Sequence, residues 1–202
     1  CPYLTPAPHR GKRNEPAYVN HTAEKLAEIR GLKIEDVQRT MALNFFELFG
    51  IGEKAQTGTV SYKIRNSLYL NLTQRCTADC VFCTRLTKPV VQGYNLALKR
   101  EPSAKEVWES IDDVKNYDEI VFCGFGEPTL RLDVIKEVAK KIKDAGGRVR
   151  LNTNGHGNVI NKRNILPELS ELIDEISVSL NADSSEAYDE ICQPLPMFRN
   201  GI

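Results

Sequence analysis

Two kinds of hydrophobic spacing divide the chain. In the first fifty residues apolar positions recur three and four apart: Val19, Ala23, Leu26 and Ala27 mark a helix that Gly31 can close. Pro2, Pro6 and Pro8 keep the start extended, and Asn14-Glu15-Pro16 reads as an N-cap with proline in the first helical turn. Two shorter amphipathic pieces follow, Ile34 to Met41 and Asn44 to Phe49, the second stopped by Gly50. Residues 51–61 hold little apolar content and read as a linker.

Beyond the linker, short apolar runs alternate with helical stripes. Ser67–Thr73, Ile120–Cys123, Val149–Asn152 and Ile176–Leu180 read as strands. Between them, Ser103 and Glu106 have capping-box spacing ahead of Val107, Trp108, Ile111 and Val114. Val134, Ile135, Val138, Ala139 and Ile142 form a second stripe closed by Gly146-Gly147, and Ile165, Leu166, Leu169 and Leu172 form a third. Asp183 and Glu186 are placed to cap a last helix through Ile191. The stretch from Thr84 to Arg100 has no clear period and reads as a long connection. This order predicts an α/β fold with a parallel sheet of about four β/α units. A sheet of that extent would expose an edge strand, so we expect poor solubility.

Composition narrows the picture only a little. Lys+Arg and Asp+Glu are balanced at 27 each, which gives no global basic field for nucleic acid. No apolar stretch is long enough to span a membrane. Six cysteines would suit a disulfide framework, but three of them fall within eight residues, which points to metal binding instead. Thiols kept for that purpose need a reducing compartment, so a cytoplasmic location is expected.

The three are Cys76, Cys80 and Cys83, a C-x3-C-x2-C row directly after a predicted strand. Thiolates suit zinc or an iron–sulfur cluster. Zinc would need a fourth ligand, His156 or a distant residue, and no second C-x2-C knuckle is present. The spacing, with Phe82 just before the third cysteine, resembles the signature of the radical S-adenosylmethionine (radical SAM) superfamily. Gly124-Phe125-Gly126-Glu127-Pro128, after the run Ile120-Val121-Phe122-Cys123, resembles that superfamily's "GGEP" segment, with Phe125 in place of the usual second glycine. A plain strand-to-helix turn would also use such glycines.

This resemblance implies a partial (β/α) barrel holding a [4Fe-4S] cluster and S-adenosylmethionine (SAM), with Cys76, Cys80 and Cys83 on three irons. It further implies that Phe82 lies beside the adenine and that Gly124, Phe125, Gly126 and Glu127 receive the methionyl amine. Asn154, Ser179 and Asn181, at predicted carboxyl ends of strands, are implied contacts of the SAM carboxylate and ribose. An electron donor such as flavodoxin or ferredoxin is the expected partner, and the substrate stays open. His156 reads as an exposed loop histidine, and Cys123 and Cys192 as buried or incidental thiols.

The first block has its own resemblance. Cys1-Pro2-Tyr3-Leu4-Thr5-Pro6, Arg10-Gly11-Lys12-Arg13-Asn14-Glu15-Pro16, and Asn44 with Leu48-Phe49 are similar to the carboxyl end of the TatD family of metal-dependent hydrolases. That implies a mostly helical tail of a (β/α)8 barrel over residues 1–50, followed by a radical SAM core over 62–202. The family's last aspartate ligand would fall just before Cys1, so a nuclease site is not expected here. The remaining parts of both domains would be flanking partners. A TatD-type hydrolase and a non-catalytic zinc module remain the alternatives.

Overall fold

The computed structural model describes residues 1–52 and 58–199. The chain divides into two compact units, Cys1–Ala55 and Gln56–Ile202.

The first unit is helical. Pro16–Tyr18 form a 3-10 turn without a side-chain cap, where the sequence suggests a capped helix start. Asn14 is occupied elsewhere, its amide donating to the carbonyls of Cys1 (2.9 Å) and Leu4 (3.2 Å). Helix α1 (Val19–Arg30) ends at Gly31, whose φ of 61° closes the helix in the left-handed region. Helix α2 runs unbroken over Ile34–Phe49, joining what reads as two pieces. Met41-Ala42-Leu43 contains no breaker, so backbone hydrogen bonding carries through the weak point in the apolar pattern. The unit's core is small: Ala23, Ala27 and Val37 pack with Leu32, Ile34 and Met41. Large apolar side chains such as Tyr3, Ile29, Leu48 and Phe49 stay exposed.

The second unit is built on a five-stranded sheet. Strands β1 (Ser61–Ile64) and β2 (Ser67–Leu70) form an antiparallel hairpin. A small hairpin, β3 (Val90–Val91) with β4 (Tyr94–Asn95), occupies the stretch read as an irregular connection. Helix α3 (Ala104–Glu109) carries the expected capping box, Ser103 with Glu106, but is shorter than its stripe. Ile111 and Val114 are buried beyond its end, so burial rather than helical phase set the pattern there. Strand β5 (Glu119–Phe122) leads to helix α4 (Leu132–Asp144) and strand β6 (Val149–Thr153). Short helices α5 (Gly157–Ile160) and α6 (Leu166–Leu169) precede strand β7 (Glu175–Val178). Helix α7 (Ser185–Cys192) is capped by Ser184, which accepts from Ala187 N, and not by Asp183. The spatial order is β1-β2-β5-β6-β7, with β2, β5, β6 and β7 parallel and in chain order.

Alternation along the strands separates two faces. Leu68, Leu70, Ile120, Phe122, Val149 and Leu151 face α4, meeting Ile135, Val138 and Ile142 in the main core. The opposite face is polar and aromatic. Arg150 makes a bidentate pair with Glu119 (2.8 and 3.0 Å) and donates to Asn152 Oδ1, while Tyr62 stacks on Tyr69. Pairing hides the backbone of the parallel strands, but β7 is thinly covered: Ile176 is 39% and Val178 57% exposed.

Phe122 has no exposed surface. We expect Phe122→Ala to destabilise the second unit by about 3–5 kcal/mol, read from the shift of its urea unfolding midpoint at unchanged slope.

Candidate functional site

Four loops leave the carboxyl ends of β2, β5, β6 and β7, and because those strands are parallel neighbours the loops converge on one edge of the sheet. They enclose a cavity of about 340 Å³. Cys76, Cys80, Cys83 and Phe82 line it from the first loop, and Gly124, Phe125, Gly126 and Glu127 from the second. Asn154 lines it after β6, and Ser179 and Asn181 after β7. Each residue that the radical SAM resemblance singled out thus borders the same space.

Close backbone contact fixes the first two loops against each other. Gly126 N donates to Thr73 O (3.2 Å) and Glu127 N to Arg75 O (2.9 Å). A Cβ on Gly126 would lie 2.4 Å from both of those carbonyl oxygens, so only glycine permits this approach. At Gly124 a Cβ would come within 2.3 Å of Asn71 Oδ1, a buried atom without a hydrogen-bond partner.

Glu127 is 2% exposed, and its carboxylate is occupied by the protein itself. Oε1 accepts from Thr129 N (3.1 Å), Thr129 Oγ1 (2.6 Å) and Thr153 Oγ1 (2.7 Å), and Oε2 from Asn154 N (2.8 Å). The glutamate therefore joins the glycine turn to the end of β6.

The cysteine loop is tied down on its other flank. Asn154 Nδ2 donates to Thr77 Oγ1 (2.9 Å) and points toward Cys76 Sγ (3.9 Å). Thr77 Oγ1 is 2.7 Å from His156 Nδ1, and His156 Nε2 is 3.4 Å from the Tyr188 hydroxyl. The imidazole stacks on Phe198 at 4.7 Å and is 2% exposed. This corrects the reading of His156 as an exposed loop residue. Glycines on both sides suggest a free loop, yet Thr77, Tyr188 and Phe198, distant in sequence, close over the ring. Arg85 completes the fastening through Ala78 O (3.0 Å) and the Asp79 carboxylate.

Burial sets the electrostatics. It raises the Cys76 thiol above its usual range, against lowering contributions from the Ala78 backbone and Arg85. Burial followed by the Cys192 thiol pushes Cys80 up to about 12. Without a metal these two sulfurs stay protonated near neutrality. Burial also lowers the His156 imidazole, which favours its neutral form.

Cys192 is not incidental. It is fully buried, its thiol helps raise that of Cys80, and Asn181 Nδ2 donates to it at 3.5 Å. Nothing in the linear sequence signals this, because 112 positions separate Cys80 from Cys192 (192 − 80). Cys123 borders the cavity and meets Asn152. Among the described residues no three His, Cys, Asp or Glu side chains are gathered around a single metal-ion position. A cubane makes a different demand, since each thiolate takes a separate iron corner.

Comparison with known proteins places this arrangement. Residues 70–197 match the profile of the radical SAM superfamily, which is more than half of the chain. The chain belongs to the radical SAM superfamily. Residues 1–50 match the TatD related DNase family, so a TatD-type segment precedes the radical SAM segment. The dual-specificity RNA methyltransferase RlmN of Buchnera aphidicola subsp. Schizaphis graminum is 31% identical over 140 residues, covering 63% of this chain and 35% of that protein. The metal-dependent hydrolase YabD of Bacillus subtilis is 47% identical over 51 residues, covering 25% of this chain and 20% of YabD. A solved structure of TYW1 with a lysine-pyruvate adduct aligns at a TM-score of 0.44 and 16% identity, over 77% of this chain and 55% of that one. The chain therefore spans only a fifth to about a third of the length of these curated relatives. No helix among the described residues is long and apolar enough to cross a membrane.

Two outcomes are expected from this radical SAM site. Gly126→Ala should lower stability by about 1–3 kcal/mol through overpacking against the Thr73 and Arg75 carbonyls, measured by thermal or urea unfolding. Gly146→Asn, at φ 82° in open space, should cost less, since it meets only backbone strain and no atom. His156 carries a second expectation. Its folded pKa is depressed, so the stability it contributes is present above its unfolded pKa of about 6.5 and is lost as pH falls below that value. Urea unfolding across this range should show the gap between wild type and His156→Phe narrowing as pH drops.

Proposed function

We propose that the second unit binds a [4Fe-4S] cluster and SAM at the cavity below the sheet edge and generates a radical for hydrogen abstraction. What supports this most is one observation: three thiols, a glycine turn and Asn154 border a single cavity at the carboxyl ends of adjacent parallel strands. The residues fit the cofactors in kind. Three thiolates are the donor set for three irons, and the glycine turn leaves backbone where a side chain would collide. When bound, the cluster supplies the electron that splits SAM to methionine and a 5′-deoxyadenosyl radical.

The protein's own part is to hold and shield. Cys76, Cys80 and Cys83 carry the cluster, and the raised thiols of Cys76 and Cys80 mean that binding must displace protons there. Gly124 and Gly126 present bare backbone to the methionyl ammonium, with Phe125 beside them. Glu127 acts through the turn, because its oxygens are occupied by Thr129, Thr153 and Asn154. Phe82, 56% exposed on the rim, is free to cover the adenine. Ser179 and Asn181, on the rim opposite, suit the ribose and carboxylate, and Asn154 contributes both there and at Cys76.

A one-electron donor of flavodoxin or ferredoxin type is the partner this chemistry needs, and a need for reduced thiols supports a cytoplasmic location. We assign residues 1–50 to the carboxyl end of a TatD-type hydrolase barrel, whose remainder would cover the apolar side chains exposed on that unit.

Anaerobic reconstitution with iron and sulfide is expected to give a brown protein with about four irons per chain. Its reduced-state electron paramagnetic resonance signal should shift on addition of SAM. Alanine at Cys76, Cys80 or Cys83 should each abolish the signal. A colourless protein that takes up zinc and ignores SAM would refute the assignment.

A further inference from the structure

The cysteine loop has a backbone partner late in the chain. Residues 77–81 run antiparallel to residues 191–195: Ala78 bridges Pro194, Leu195 N donates to Thr77 O (2.9 Å), Asp79 N to Gln193 O (3.2 Å) and Val81 N to Ile191 O (2.9 Å). These four contacts share one register, and that register sets Cys80 opposite Cys192. The hydrogen bonds fall at positions 77, 79 and 81, so the two cysteines take the position between them. The contact is made at a helix end: Ile191 and Cys192 close α7, Gln193 is left-handed at φ 46°, and Asp79 and Val81 donate to the carbonyls on either side of Cys192.

Side chains agree with the backbone. Cys192 is near enough to Cys80 for its thiol to help raise that of Cys80. Cys192 is fully buried and meets the Asn181 amide at 3.5 Å, while Cys80 borders the cavity.

We infer that Cys80 and Cys192 are a redox pair, in which oxidation joins the two sulfurs in a disulfide and reduction returns Cys80 to the site. The oxidant is a small-molecule disulfide of the glutathione type. Cys80, the accessible partner, loses its proton and attacks one sulfur of the oxidant, forming a mixed disulfide and releasing one small thiol. Cys192 loses its proton and attacks the Cys80 sulfur, expelling the second small thiol. Two protein thiols lose two electrons and two protons, and the oxidant gains both. On the reading of Cys80 as a cluster ligand, on which this consequence rests, the disulfide removes one of three ligands and blocks loading until it is reduced.

Peptide mapping of the full chain tests the pair directly. The metal-free protein is incubated anaerobically with oxidised glutathione, alkylated, digested without reductant and analysed by mass spectrometry. A peptide joining Cys80 to Cys192 is expected as the dominant cross-link. Dominant Cys80–Cys83 or Cys76–Cys80 links, or glutathione adducts on Cys80 that never resolve onto Cys192, would overturn the proposal. A second arm follows iron uptake. Oxidised wild type should lose most of the uptake shown by the reduced protein, and Cys192→Ala, which lacks the resolving thiol, should keep glutathione on Cys80 where wild type sheds it. Protein that forms the Cys80–Cys192 link on oxidation but, once reduced, takes up no iron would leave the pair standing and remove the cluster assignment alone.

Discussion

A buried carboxylate organises this site. Glu127 sits with almost no exposed surface, and an ionised group in that position is tolerated only when its lone pairs are met by fixed donors. The donors come from Thr129, just after the turn, and from Thr153 and Asn154 at the end of β6. Satisfying the charge therefore sets the turn after β5 relative to its neighbouring strand. Across the same turn, Gly126 rests against the Thr73 and Arg75 carbonyls immediately ahead of Cys76. One residue and its neighbours thus hold three successive strand ends in a common frame.

Parallel topology turns that frame into a cavity. Each crossover returns the chain to the same end of the sheet, so every loop that follows a parallel strand arrives at one edge. The apolar face of β2, β5 and β6 is filled by α4, which keeps the strands in place without using any group that borders the cavity. Stability and chemistry are consequently assigned to different residues. The Arg150–Glu119 pair and the Tyr62–Tyr69 stack lie on the other face.

The cysteine loop itself has little regular structure and depends on its surroundings. On one side Thr77 is held by Asn154 and His156, and on the other residues 77–81 borrow backbone partners from the segment after α7. The latter contact also brings a fourth thiol to the loop, so the element that steadies the site is the one through which oxidation can reach it.

Much of this was legible in the linear chain. The strands were marked by short apolar runs, α4 by its 3.6-residue stripe, and α3 by its capping box, all of which are local signals. The three cysteines and the glycine turn were legible as motifs because their spacing is short. The extent of α2, the β3–β4 hairpin and the cap at Ser184 were not, since weak local patterns leave the choice to packing. His156 and Cys192 were illegible for a stronger reason. Their environments are made by residues 79 and 112 positions away, the distances to Thr77 and Cys80 (156 − 77 and 192 − 80). Sequence by itself determined which segments could become strands and which side chains could carry metal chemistry. Only the tertiary structure decided that those side chains share one cavity, because contacts between distant segments exist only once burial of the sheet's apolar face has brought the strand ends together.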